Sequence, residues 1–169
     1  MGTALLIEEA WANGHRCTGG AADVYKCFDQ LNRQVIYKMA DLGGMPHKVL
    51  DAYRRFQENL TVRNAVADGL GQPYSKPFSI PQGCPFSMML VAYMMRPWLL
   101  KMRQLEVVPR VLADDILLVS HGLGHLDKFE EAFEATHVYL HDMGSKLAAE
   151  KSLVFSIQKR TRKQLAKKV

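Results

Sequence analysis

The chain has 169 residues, 48% hydrophobic and 23% charged, the balance of a globular protein large enough to bury a core, and no repeat or low-complexity stretch appears. Its net charge of +5 is local: Lys159, Arg160, Arg162, Lys163, Lys167 and Lys168 fall in the last eleven residues, leaving 16 basic against 17 acidic residues elsewhere, a net of −1. Residues 1–158 therefore read as the body, and 159–169 as a basic tail that could contact phosphates or present a solvated helix face. Cys17, Cys27 and Cys84 are widely spaced with no Cys-x-x-Cys, which argues against a disulfide frame or zinc knuckle and for a reducing compartment. The start lacks a basic lead and a long apolar run, so the reading is intracellular, nucleus or cytoplasm, and not secreted.

In chain order, residues 3–13 read as a helix with Leu5, Leu6, Ala10 and Trp11 on one face, broken by Gly14 and Gly19-Gly20. A short strand carries Ala22 to Tyr25. Asp29 to Leu42 is a helix ending at Gly43-Gly44, with Asp29 as its cap. The next helix starts near Pro46 and runs to Asn59 with Val49, Leu50, Tyr53 and Phe56 aligned. Leu60 to Ala67 alternates as a half-exposed strand does, and residues 69–77 form a loop or hairpin. A long helix follows from Cys84; its apolar run stops at Arg96-Pro97, short of the roughly 20 residues a membrane span needs, so it is a buried helix. A hairpin spans about 107–120. A helix over 124–142 aligns Phe129, Phe133, His137 and Leu140, and Lys151 to Ser156 is a final strand. Helices alternating with antiparallel strands make an α+β fold, a sheet backed by helices on one face.

The hairpin carries Asp114 and Asp115 at its turn, within Val-Leu-Ala-Asp-Asp-Ile-Leu. Adjacent carboxylates between two buried strands are costly unless a cation joins them, and divalent metals are hard cations that take carboxylate oxygens. A solvated turn would explain the pair equally well without a third carboxylate. Upstream, Gly19-Gly20-Ala21-Ala22-Asp23-Val24-Tyr25-Lys26-Cys27-Phe28-Asp29 supplies one, and Ser79-Ile80-Pro81-Gln82-Gly83-Cys84-Pro85-Phe86-Ser87 adds a glycine-bearing loop ahead of a helix.

Asp-x-x-Lys-x-Phe-Asp, Pro-Gln-Gly-x-Pro-x-Ser and Ala-Asp-Asp, in that order, resemble the palm of a reverse transcriptase, most nearly of the non-LTR retrotransposon type, over about residues 18–156. The resemblance implies RNA-directed DNA polymerase activity, with a primer on an RNA or DNA template and deoxynucleoside triphosphates as partners, and no membrane. It implies two Mg2+ ions, for which Mn2+ can substitute, held by Asp23 and Asp114, with Asp115 as an outer ligand and the Val24 carbonyl as a further oxygen. Phe28 would underlie the sugar and clash with a 2′-hydroxyl; Gln82 and Gly83 would support the template base and incoming nucleotide. Lys151 would protonate the departing pyrophosphate. Tyr25, Tyr74 and Tyr93, near Lys26, Lys76 and Arg96, could stack on and steer nucleic acid, although packing also explains Tyr93. The spaced histidines, His121 and His125 and again His137 and His141, lack a Glu or Cys partner for zinc and read as packed or solvated.

The pattern departs from the family at Leu112, where an aromatic is usual, at Met88 for a proline, and at Ala148 for an asparagine. The stretches before Asp23 and after Lys151 also look too short for fingers and thumb, so a palm fragment is expected. A non-catalytic element remnant with weak nucleic-acid binding and an RNA-dependent RNA polymerase are the alternatives.

Overall fold

A computed structural model of the chain describes residues 2–167, so Lys168 of the basic segment lies outside it. The chain divides into two compact units, residues 1–25 with 95–169, and residues 26–94.

The first unit is built on a four-stranded antiparallel sheet. Its strands are β1 (Cys17–Val24), β4 (Val108–Leu112), β5 (Asp115–His121) and β6 (Leu147–Ser156), in the order β4-β5-β1-β6. β1 extends well upstream of the predicted strand because Gly19 and Gly20 lie inside it. A Cβ on Gly19 would stand 2.7 Å from the Leu118 carbonyl oxygen and 2.5 Å from the Phe155 ring, and one on Gly20 would stand 2.8 Å from the Phe129 ring. The glycines read as helix breakers are there for close approach. Successive strand residues face opposite sides. Accordingly Gly20 meets α6 (His125–Asp142) on one face. On the other face Cys17 and Val119 pack with Ala10, Leu6 and Ile7 of α1 (Thr3–Ala12).

Two predicted helix faces are rotated. In α1 the inner side is Leu6, Ile7 and Ala10, while Leu5 and Trp11 are exposed. In α6 the buried stripe is His125, Phe129, Ala132, Thr136 and Leu140, and His137 is exposed. Polar residues on the stripe hid it from a hydrophobic reading. Thr136 accepts the indole N–H of fully buried Trp98 at 2.8 Å and donates to the Ala132 carbonyl. His125 lies 2.7 Å from Thr18; the Thr18 hydroxyl donates to Ser156, which donates to the Cys17 carbonyl. With its proton committed to Ser156, Thr18 accepts from His125, which assigns the ring hydrogen to Nδ1. Trp98 belongs to α5 (Pro85–Gln104), which continues through Pro97, and no described helix is long and apolar enough to cross a membrane. The basic segment forms α7 (Lys159–Leu165), with Thr161 and Leu165 buried and Arg162 donating to the Ser156 and Ile157 carbonyls.

The second unit holds α2 (Cys27–Gln30), α3 (Arg33–Leu42), α4 (His47–Glu58), the hairpin strands β2 (Ala65–Val66) and β3 (Gly69–Leu70), and α5 up to Met94. The helix predicted from Asp29 is interrupted, because Leu31 and Asn32 are extended. Asn32, not Asp29, caps α3, its side-chain oxygen accepting from the Gln34 and Val35 amides. Asp29 instead pairs with Lys76 at 3.6 Å. In α4 the inner stripe is Leu50, Tyr53 and Gln57, with Val49 and Phe56 exposed. The predicted strand over 60–67 shrinks to two residues, and Val66 and Leu70 stand exposed, since alternation makes a strand only where one face is buried.

Two outcomes test this packing. Gly19→Val is expected to lower stability by about 1–3 kcal/mol, the usual cost of overpacking, in urea unfolding. Burial first, then the Arg16 charge, hold the His125 pKa below its ordinary 6.5, with Asp127 opposing. The unfolded chain therefore takes up the proton more readily, so stability is complete above 6.5 and declines as pH falls through that value. His125→Gln is expected to flatten that decline in urea titrations at pH 7.5 and 5.5.

Candidate active site

Asp23 is the seventh residue of β1, and the β1–β5 register sets it directly opposite Asp115. Directly opposed residues of an antiparallel pair point to the same side, their Cβ atoms about 4.5–5.5 Å apart. The hairpin joining β4 to β5 has a two-residue turn, Ala113-Asp114, closed by the Leu112–Asp115 pair, with Ala113 at φ +56°. Asp114 thus occupies the turn and Asp115 opens the strand. The Val24 amide donates to the Asp114 carbonyl at 2.9 Å, carrying the pairing past Asp23 to the turn.

Asp23 and Asp115 share the face whose Cys17 end lies under α1. At the opposite end that face holds an open depression of about 450 Å³, lined by Asp23, Asp115, Lys151, Arg110, Leu112 and Leu117 among others. Lys151 Nζ stands 3.1 Å from Asp23 Oδ2, with the Asp23 side chain mostly enclosed (16% exposed) and that of Lys151 largely open (68%). The hydrogen bond to Asp23, and then its charge, raise the Lys151 pKa above its ordinary 10.5.

Lys151 reaches this place from a wide bulge. Ala21 pairs with Leu153 and Asp23 with Ala148, so the single residue Ala22 lies opposite four residues of β6, Ala149 to Ser152. The Ser152 hydroxyl donates to the Ala148 carbonyl at 2.8 Å and closes the bulge. Ala148, where the family pattern has asparagine, is the small buried partner of Asp23. Val24 is buried, and Tyr25 donates its amide to the Lys146 carbonyl and carries the Lys146 ammonium 4.8 Å above its ring.

The remaining expected site residues lie in the second unit. The Phe28 carbonyl accepts the Ile80 amide at 2.9 Å, which joins the half-buried Phe28 to the segment leading into exposed Gln82 and Gly83. Gly83 has φ +83°, a conformation that excludes most side chains. Ser87 donates to the Pro81 carbonyl at 2.7 Å, and buried Arg33 donates to the carbonyls of Ser79 and Gln57. Arg33 and Ser152 carry no sequence signal for these backbone-holding tasks. Arg110 could have been found, since alternation along β4 puts it, with Leu112, on the side of Asp115. Tyr74 bonds Asn64 on the surface, and Tyr93 packs against Gly43.

The donors fit a hard divalent cation in kind: two opposed carboxylates with like charge, already sharing their depression with an ammonium ion. Among the described residues no three Asp, Glu, His or Cys side chains are drawn together around one point.

The sheet and its helices define a polymerase-type α+β fold. The sequence pattern of reverse transcriptases (RNA-dependent DNA polymerases) matches residues 2–166, and the chain belongs to that family. Its fold is similar to apo telomerase from Candida tropicalis truncated of its C-terminal domain (TM-score 0.68, 13% identity, 91% of this chain and 34% of that one). It is similar also to telomerase from Candida tropicalis in complex with a TWJ fragment of telomeric RNA (0.69, 12%, 93% and 29%). The corresponding Candida albicans complex gives 0.65, 15%, 90% and 30%. The chain thus spans about a third of the length of these structures. No curated protein matches it.

Opposed like charges destabilise an antiparallel pair by a few tenths to about 1 kcal/mol. Asp115→Asn is therefore expected to raise the melting temperature slightly in low-salt buffer containing EDTA, and the gain should shrink as salt screens the pair.

Proposed function

We propose that this chain is the palm of an RNA-directed DNA polymerase of the non-LTR retrotransposon type, with residues 1–158 as the palm and 159–169 as an appended basic segment. The observation that carries the reading is the register that opposes Asp23 to Asp115 beside Lys151, on the open end of the sheet, in a chain of the reverse transcriptase family. Asp23, Asp115 and Asp114, with the Val24 carbonyl, would hold Mg2+. When bound, the ions supply Lewis-acid activation of the primer hydroxyl and neutralise phosphate charge. Lys151, a proton donor beside the carboxylates, protonates the departing pyrophosphate. Phe28 selects deoxynucleotides by excluding the 2′-hydroxyl. Gln82 and Gly83 support the template base and the incoming nucleotide, with Gly83 allowing the backbone to come close. Tyr25, at the end of β1, contacts the substrate.

Primer extension by the purified chain on a poly(rA)–oligo(dT) duplex with Mg2+ tests this. Deoxynucleotide incorporation is expected, reduced at least about 100-fold by Asp23→Asn or Asp114→Asn, because metal charge stabilisation is worth several kcal/mol. A folded wild-type chain that extends nothing overturns the catalytic reading in favour of a remnant. Phe28→Val is expected to admit ribonucleotides, and unchanged selectivity would remove the steric role of Phe28.

A further inference from the structure

The metal-holding reading leaves one feature of β6 without a purpose. Were the β1–β6 ladder regular beyond the Ala21–Leu153 pair, Ser152 would lie opposite Ala22, and Lys151 would be the ladder partner of Asp23. The bulge instead installs Ala148 as that partner and takes Lys151 off the ladder. Lys151 still reaches Asp23, by its side chain alone, at 3.1 Å.

We infer that Lys151 is a displaceable resident counter-ion: it pairs with the Asp23 carboxylate in the metal-free chain and yields its place there to a divalent cation. The bulge, closed by the Ser152 hydrogen bond to Ala148, takes the Lys151 backbone off the ladder, and the exposure of the side chain leaves its ion pair with Asp23 open to exchange. The inference rests on the reading of Asp23 as a metal-holding carboxylate. Metal affinity is then set partly by competition with an internal ammonium ion. The same displacement frees the Lys151 ammonium to give its proton to the leaving group only once the cation has arrived. An exposed lysine suits this task, since an ion pair open to water is weak enough to exchange.

The experiment is Mn2+ titration of the full chain without nucleic acid, followed by the loss of the free-ion paramagnetic resonance signal. Wild type, Lys151→Met, Lys151→Arg and Asp23→Asn are compared, with circular dichroism to confirm each fold and Lys151→Gln as the substitute should the methionine variant misfold. Removing the competitor is expected to tighten Mn2+ binding about three- to tenfold, the scale of an exposed charge pair. Lys151→Arg stays close to wild type, and Asp23→Asn loses the site. In EDTA and low salt Lys151→Met also melts below wild type, and Mn2+ raises its melting temperature by the larger increment. Equal affinities in wild type and Lys151→Met, with Asp23→Asn still weakened, would overturn the counter-ion and leave the metal reading standing. Saturable binding that Asp23→Asn does not touch, or no binding by any chain, would overturn both.

Discussion

Asp23 and Asp115 are held on one side of an antiparallel pair, and neither strand can turn its carboxylate away without reversing every other side chain along it. The register that puts Ala22 and Ile116 into the core puts the two acids together on the opposite face. Two cations line the same depression and ease that conflict, Lys151 at 3.1 Å from Asp23 and Arg110. Much of the first unit is arranged around this constraint. Alanines 21, 22 and 148 keep the neighbourhood of Asp23 small, and α1 covers the far end of the same face while the acidic end stays open.

Glycine has a matching role at the other end of β1. Gly19 and Gly20 let rings approach the strand from both faces, Phe155 beside one and Phe129 against the other. A strand carrying two adjacent glycines is intrinsically weak. Here its neighbours compensate, because β1 is central, paired with β5 on one side and β6 on the other. Asp23 and Asp115 therefore sit at the ends of the two interior strands of the sheet. In the second unit a similar economy of backbone contacts holds the loop before α5. Its segment is tied by Arg33 to the Ser79 carbonyl, by Ser87 to Pro81 and by Ile80 to Phe28.

Errors in reading the sequence share a cause. The inner faces of α1, α4 and α6 were all displaced by following the largest apolar residues, whereas the core accepted Gln57, Thr136 and His125 and left Trp11 and Phe56 exposed. Hydrophobic spacing registers only apolar side chains, so a buried polar residue shifts the apparent stripe, as Thr136 and His125 do with side-chain partners and Gln57 does by burial alone. Local propensity marks the glycine pair as a break because it carries no record of the rings that need its space. The cap of α3 moved from Asp29 to Asn32 because both residue types suit a cap, and the choice depends on where the chain turns extended.

The sequence by itself determined the order of the elements and the chemistry available to them. Local strand and turn preferences, which act between near neighbours, put Asp114 and Asp115 at a hairpin turn, and the resemblance to reverse transcriptase motifs picked out Asp23, Phe28, Gln82, Gly83 and Lys151 around them. Which acid faces which was decided only by tertiary structure. Strand register opposes Asp115, rather than Asp114, to Asp23, and a bulge four residues wide sets Ala148 there in place of Lys151. Both follow from pairings between segments about ninety to 125 residues apart in the chain, chosen by which side of each strand the core must bury.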